Sequence, residues 1–99
     1  MVSEELAYKI AKLENEKDLF ERERIAFDIV EISKRSDLFI ESEGAYQLGK
    51  FGFKEKESAV INDMNNRYPI AGELVHSINK YVATPIANWI IKRIEQHNL

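Results

Sequence analysis

The residues with the clearest potential for chemistry lie between Gly44 and Phe51. Residues 44–50, Gly-Ala-Tyr-Gln-Leu-Gly-Lys, match the G-x-x-x-x-G-K spacing of a phosphate loop, in which backbone N–H groups and a lysine hold nucleotide phosphates. The next residue should supply a Ser or Thr hydroxyl for magnesium, but Phe51 stands there. Glu41 and Glu43 also place negative charge just before the loop. We therefore predict neither a nucleotide site nor a cofactor.

The other residue types that commonly carry catalysis or bind metals lack the necessary spacing. His76 and His97 stand too far apart for a local metal motif, and the chain has no cysteine. The serines have no neighbouring base in the sequence, and the carboxylates alternate with Lys and Arg as on a solvated helix. The sequence therefore predicts a protein that is not an enzyme and binds no metal.

Length and charge limit the classes of partner. The 99 residues, 44% of them apolar and 31% charged, predict one globular domain over 1–99. The net charge of −3 is unfavourable for binding nucleic acid mainly through phosphates. The early acids and the short apolar run at 89–91 predict neither a signal peptide nor a membrane span. We expect a cytoplasmic protein without a membrane partner.

Apolar residues recur at helical spacing through most of the chain. The pattern predicts helices near 4–17 and 19–35, which no Gly or Pro separates, so that one continuous helix remains an alternative. Apolar residues cover more than half of the surface of the second helix, which predicts a central helix with neighbours on several sides. Further helices are predicted near 54–66, near 70–82 and after Thr84-Pro85. The expected fold is all-α, a compact bundle of four to six helices.

The segment near 36–53 interrupts this pattern. It holds three of the four glycines, interleaved with Phe and Tyr side chains. Ser36-Asp37 can cap a short helix that ends near Gly44 or Gly49. We predict an irregular, glycine- and aromatic-rich joint between an acidic half, residues 1–43 with a net charge of −5, and a mildly basic half, residues 44–99 with a net charge of +2.

The strongest signal for a partner surface is Trp89. It points away from the apolar stripe of the last predicted helix, next to Arg93 and Gln96. Tryptophan and arginine are enriched at the centres of protein interfaces. We predict a contact surface formed by Trp89, Arg93 and Gln96, with Phe51 nearby. The expected role is non-enzymatic binding to another protein, as an inhibitor, immunity-type protein, adaptor or self-associating accessory protein.

A helix-turn-helix DNA-binding regulator is the alternative. Gly52 would occupy the turn, and the following helix would read DNA. Its candidate contacts are Lys54, Lys56, Asn62 and Arg67. The acids Glu55, Glu57 and Asp63 on the same helix oppose this role.

Overall fold

Four helices in sequence order make up the part of the chain that the structure describes. This structure is a computed structural model, and it describes residues 2–68, with side chains from residue 4 onward. The helices are α1 (Val2–Asn15), α2 (Leu19–Lys34), α3 (Leu38–Lys50) and α4 (Lys54–Arg67). The all-α prediction is confirmed for these residues. The helices predicted near 70–82 and after Pro85 lie outside them.

The first two helices are separate, which settles the alternative of one continuous helix. Asp18 caps α2, because its carboxylate accepts a hydrogen bond from the backbone N–H of Glu21 at 3.1 Å. The Arg22 side chain reaches back and donates to the carbonyl oxygens of Leu13 and Glu16, at 3.0 Å each. It thereby satisfies acceptors left open by the end of α1. Polar side chains break the helix here without Gly or Pro.

The segment near 36–53 is mostly one regular helix, α3, where the sequence predicted an irregular joint. Asp37 caps it by accepting from the N–H of Ile40 at 2.9 Å. Gly44 and Gly49 lie inside the helix, and only residues 51–53 form a turn. Glycine lowers helix propensity by only about 1 kcal/mol, and packing against neighbouring helices outweighs that cost.

The turn after α3 depends on the backbone of Gly52. Its φ angle is 93°, in the left-handed region that favours glycine. Gly52 N–H donates to Gly49 O at 3.1 Å, and Phe53 N–H donates to Leu48 O at 2.8 Å. This pair of bonds is the Schellman motif, which closes a helix and reverses the chain. Here it lets α4 begin at Lys54.

The core lies around α2, which packs against α1, α3 and α4. This confirms the prediction that the second helix is central. All four helices contribute fully or almost fully buried apolar side chains. These are Leu6, Ala7, Ile10, Leu13, Ile25, Ala26, Ile29, Val30, Ile32, Ala45, Leu48, Val60 and Met64.

Two glycines of α3 allow close approach to its neighbours. A Cβ atom on Gly44 would overlap Ser33 Oγ of α2 and lie 2.9 Å from Ser33 Cβ. A Cβ atom on Gly49 would overlap the carboxylate of Glu57 on α4. These contacts explain why the glycines occupy a helix that they would otherwise weaken.

Candidate functional site

The near match to a phosphate loop does not form such a loop. Residues 44–50 are helical, so their backbone N–H groups do not converge on an external anion. Gly44 and Gly49 are buried against other helices, and Lys50 Nζ lies 5.8 Å from the centre of the Phe51 ring. The glycine spacing therefore reflects helix packing.

Of the predicted protein-contact residues, only Phe51 lies in the described part of the chain. It occupies the turn after α3 and is half-buried against the core. Its main visible role is thus to pack under the turn. Trp89, Arg93 and Gln96 lie outside the described residues.

The predicted nucleic-acid contacts divide into two pairs. Lys54 and Asn62 are exposed on α4. Lys56 Nζ lies 2.6 Å from a carboxylate oxygen of Glu23 on α2, and 5.5 Å from the centre of the Phe53 ring. Arg67 forms ion pairs with carboxylates. Two of the four contacts are therefore engaged within the fold.

Among the described residues, three of the four most exposed large apolar side chains lie on α2, at residues that the sequence assigns to a central helix, and the fourth is Phe39 on α3. Phe20 keeps 87% of its surface exposed, Phe27 57% and Leu19 76%. Phe20 and Phe27 are seven residues apart, which places them on one side of the helix. We call Leu19, Phe20 and Phe27 the α2 aromatic face. A wide apolar pattern predicts burial, and helical spacing alone could not reveal which part of it stays uncovered.

Charged residues border this face. Arg24 lies between the two phenylalanines in sequence and pairs with Glu21 at 2.5 Å. Glu23 pairs with Lys56, and Glu31 is exposed one turn beyond Phe27. Exposed ion pairs of this kind add little to stability. They give the aromatic face a polar rim, as protein interfaces commonly have.

A second unusual feature joins the start of α3 to the end of α4. The side chain of Glu41 has no exposed surface, and its Oε1 atom accepts a hydrogen bond from Arg67. Arg67 Nε also lies 3.1 Å from Asp63 Oδ2, so the Arg67 guanidinium contacts the carboxyls of both Glu41 and Asp63. We call Glu41, Asp63 and Arg67 the carboxyl cluster.

The environment of the cluster keeps Glu41 protonated at neutral pH. Burial first, and then the neighbouring carboxyl of Asp63, raise the pKa of Glu41 to about 8, against the opposing effect of Arg67. Burial also raises the pKa of nearby Glu43, whose Oε1 accepts from Gln47 Nε2 at 2.7 Å. Because Glu41 is fully buried, it cannot contact a substrate, and its position does not fit the role of a general acid.

Metal binding and membrane insertion have no structural support in the described residues. Within 2–68, no three His, Cys, Asp or Glu side chains converge as metal ligands. No helix of that range combines the length and apolar character needed to cross a bilayer. The aromatic face and the carboxyl cluster are therefore the features that a functional account must explain.

The search for related proteins gives no further guide. Comparison with protein-family models, curated proteins and solved structures finds no match for this chain.

Proposed function

We propose that the protein acts by binding another protein through the α2 aromatic face. The observation that carries this proposal is the pair of exposed rings of Phe20 and Phe27 on one side of α2. Single exposed apolar residues are ordinary, whereas neighbouring large ones within a polar rim are typical of interaction sites.

The size of the face fits the centre of an interface. A phenylalanine side chain buries on the order of 200 Å², so the exposed parts of the two rings amount to roughly 300 Å². Removing that area from water would contribute about 7 kcal/mol before the costs of association are subtracted. A stable complex buries about 800 Å² on each partner, so the rim must contact the partner too.

The spacing of the rings favours a groove as the complementary surface. Aromatic anchors seven residues apart on one helix face are the pattern of a helix that lies in an apolar groove. Arg24 and Glu23 flank the line between the rings, so charged or polar groups at the edges of that groove would complete the contact.

A second copy of the chain fits this face less well than a different protein does. An antiparallel two-fold pairing could stack each Phe20 on the Phe27 of the other copy. The same symmetry brings equivalent sides of the two helices together. Arg24 would therefore face Arg24 of the second copy, and Glu23 would face Glu23 of the second copy. Like charges in contact oppose association. We therefore favour a heterologous partner, and light scattering provides the test for a homodimer.

Capture from the source cell tests the proposal with a matched control. Phe20→Ser combined with Phe27→Ser removes both rings, whereas Tyr8→Ser removes an exposed aromatic from α1. We expect the wild type and Tyr8→Ser to retain the same partner and the double variant to lose it. Equal capture by all three proteins, with equal helicity by circular dichroism, would refute a role for this face.

The surface around Trp89 is a separate part of the proposal. Trp89, Arg93, Gln96 and Phe51 have the composition of a contact surface, and the chain has no other tryptophan. Trp89 fluorescence therefore reports on its own surroundings without labelling. We expect its emission to shift to the blue when the captured partner is added, and Trp89→Ala to weaken capture. An unchanged spectrum together with unchanged capture would remove these residues from the interface.

DNA binding is the second candidate, and the turn at Gly52 is the observation that favours it. Two helices joined by a three-residue turn with a left-handed glycine meet one requirement of a helix-turn-helix. Two of the acidic side chains that would repel DNA phosphates are also engaged within the fold. Glu57 lies against Gly49, and Asp63 forms an ion pair with Arg67. Lys54 and Asn62 would then be the outward contacts.

Fluorescence anisotropy with random duplex DNA at low salt separates the two candidates. A DNA-binding protein would show binding that weakens steeply with added salt, and Lys54→Glu would reduce it. Absence of binding at low salt would exclude the DNA-binding candidate.

A further inference from the structure

The carboxyl cluster contains more negative charge than its one cation can balance. Two carboxyls and one guanidinium meet where Glu41 has no contact with solvent. With all three groups ionised, the net charge would be −1 around the fully buried carboxylate of Glu41, which is unfavourable. One proton bound to the carboxyl pair makes the cluster neutral.

The unpaired oxygen atoms indicate where that proton lies. Glu41 Oε2 and Asp63 Oδ2 are buried and accept no hydrogen bond from an N–H group. Asp63 Oδ2 is close enough to Arg67 for an ion pair but is not its hydrogen-bond acceptor. A hydroxyl on Glu41 that donates to Asp63 satisfies both carboxyls, since two carboxylates cannot hydrogen-bond without a proton.

We propose that a single proton shared by Glu41 and Asp63 fastens the end of α4 to the start of α3, and that its release loosens the last turn of α4. Among the described residues, Asp63 and Arg67 are the charged groups that act on Glu41. The neighbouring acid Glu43 is directed to Gln47 instead. The cluster is therefore governed by one titration, that of Glu41.

The position of the carboxyl cluster determines which part of the protein the loss of the proton would affect. Arg67 is the last residue of α4, and Asp63 precedes it by one turn. After the proton leaves, Arg67 can balance only one of the two carboxylates, and their repulsion pushes Asp63 away from Glu41. The last hydrogen bond at this end, from Tyr68 N–H to Met64 O at 2.7 Å, would then open more often.

Release takes place under mildly alkaline conditions. The pKa of Glu41 is raised to about 8, so the proton is held at neutral pH and is lost above that value. This inference does not depend on what the α2 aromatic face binds.

Hydrogen exchange measured by residue tests the proposal. After correction for the intrinsic effect of pH, we expect protection of the amides of residues 64–68 to fall about tenfold from about pH 6.5 to about pH 9. Core amides of α1 report global unfolding, whose free energy also falls in this range because the folded state holds the Glu41 proton more tightly. Protection at 64–68 should therefore stay well below that of α1 at every pH. Unchanged protection at 64–68, or protection there equal to that of α1, would overturn the proposal.

Two variants assign the effect to the shared proton. Glu41→Gln keeps a donor to Asp63 at every pH, so we expect its α4 protection to stay constant. Asp63→Asn leaves Glu41 to pair with Arg67 alone, which should move the ¹³C carboxyl titration of Glu41 well below 8. A midpoint of 4 to 5 in the wild type would contradict the shared proton, and so would a pH-dependent fall in Glu41→Gln equal to that of the wild type. If one variant does not fold, the other and the wild-type titration still decide.

Discussion

At the scale of single residues, Gly44 shows how closely α2 and α3 pack. Its position leaves no room for a methyl group, because Ser33 Oγ and Cβ occupy that space. Ser33 is itself fixed, since its hydroxyl donates to the carbonyl of Ile29 at 2.6 Å. Gly44 therefore lies against a side chain, that of Ser33, which cannot move aside freely.

We expect Gly44→Ala to lower the free energy of unfolding by about 2 kcal/mol, because overpacking outweighs the gain of about 1 kcal/mol in helix propensity. Urea denaturation measures this change. In a Ser33→Gly background, which frees the space, the same substitution should cost much less. An equal cost in both backgrounds would show that the contact with Ser33 is not the cause.

Glu41 makes global stability depend on pH. Its folded pKa of about 8 lies above the ordinary value of 4.5, so the folded state holds the proton more tightly than the unfolded state. The contribution is complete below about pH 4.5 and is lost as pH rises through 8. We expect Glu41→Gln to remove this loss, which is on the order of a few kcal/mol. Urea denaturation across that pH range would refute this if both proteins gave parallel curves.

At the scale of helices, local polar signals set the boundaries. Asp18 and Asp37 each cap a helix by accepting a backbone N–H three residues ahead. Such caps are short-range, so they can be recognised in a sequence. The helix predicted near 54–66 coincides with α4 within about one residue at its C-terminal end.

We expect Asp37→Ala to destabilise the protein by about 1 kcal/mol, because the first turn of α3 loses its cap. Asp37→Asn keeps an oxygen acceptor and should cost clearly less. Thermal unfolding followed by circular dichroism compares the two variants. Equal losses would show that the charge of Asp37, and not its hydrogen bond, matters.

Features that depend on contacts distant in sequence could not be predicted in the same way. Glycine usually marks turns, so Gly44 and Gly49 indicated an irregular segment until the neighbouring helices showed why they are helical. In the sequence, Glu41 indicates only negative charge before residues 44–50, because its burial depends on residues 22 and 26 positions further along the chain. Only Gly52 matched its predicted place in a turn.

At the scale of the whole molecule, the α2 aromatic face holds the most exposed aromatic side chain of the described residues, Phe20. The sequence predicts a central second helix, and the structure confirms it, because α2 packs against α1, α3 and α4. The fourth side carries Phe20 and Phe27, whose exposure could not follow from apolar spacing alone. The predicted function, binding to another protein, consequently rests on a surface different from the one around Trp89 that the sequence favoured.

Photo-crosslinking in the source cell tests this central claim most directly. A benzophenone amino acid replaces Phe20 or Phe27 in turn, and Glu14, exposed on α1, serves as the control position. We predict one adduct with another protein, formed from positions 20 and 27 and not from position 14. Adducts formed equally from position 14, or none from position 20, would contradict binding through the α2 aromatic face, and a mass of twice the chain would identify a second copy instead.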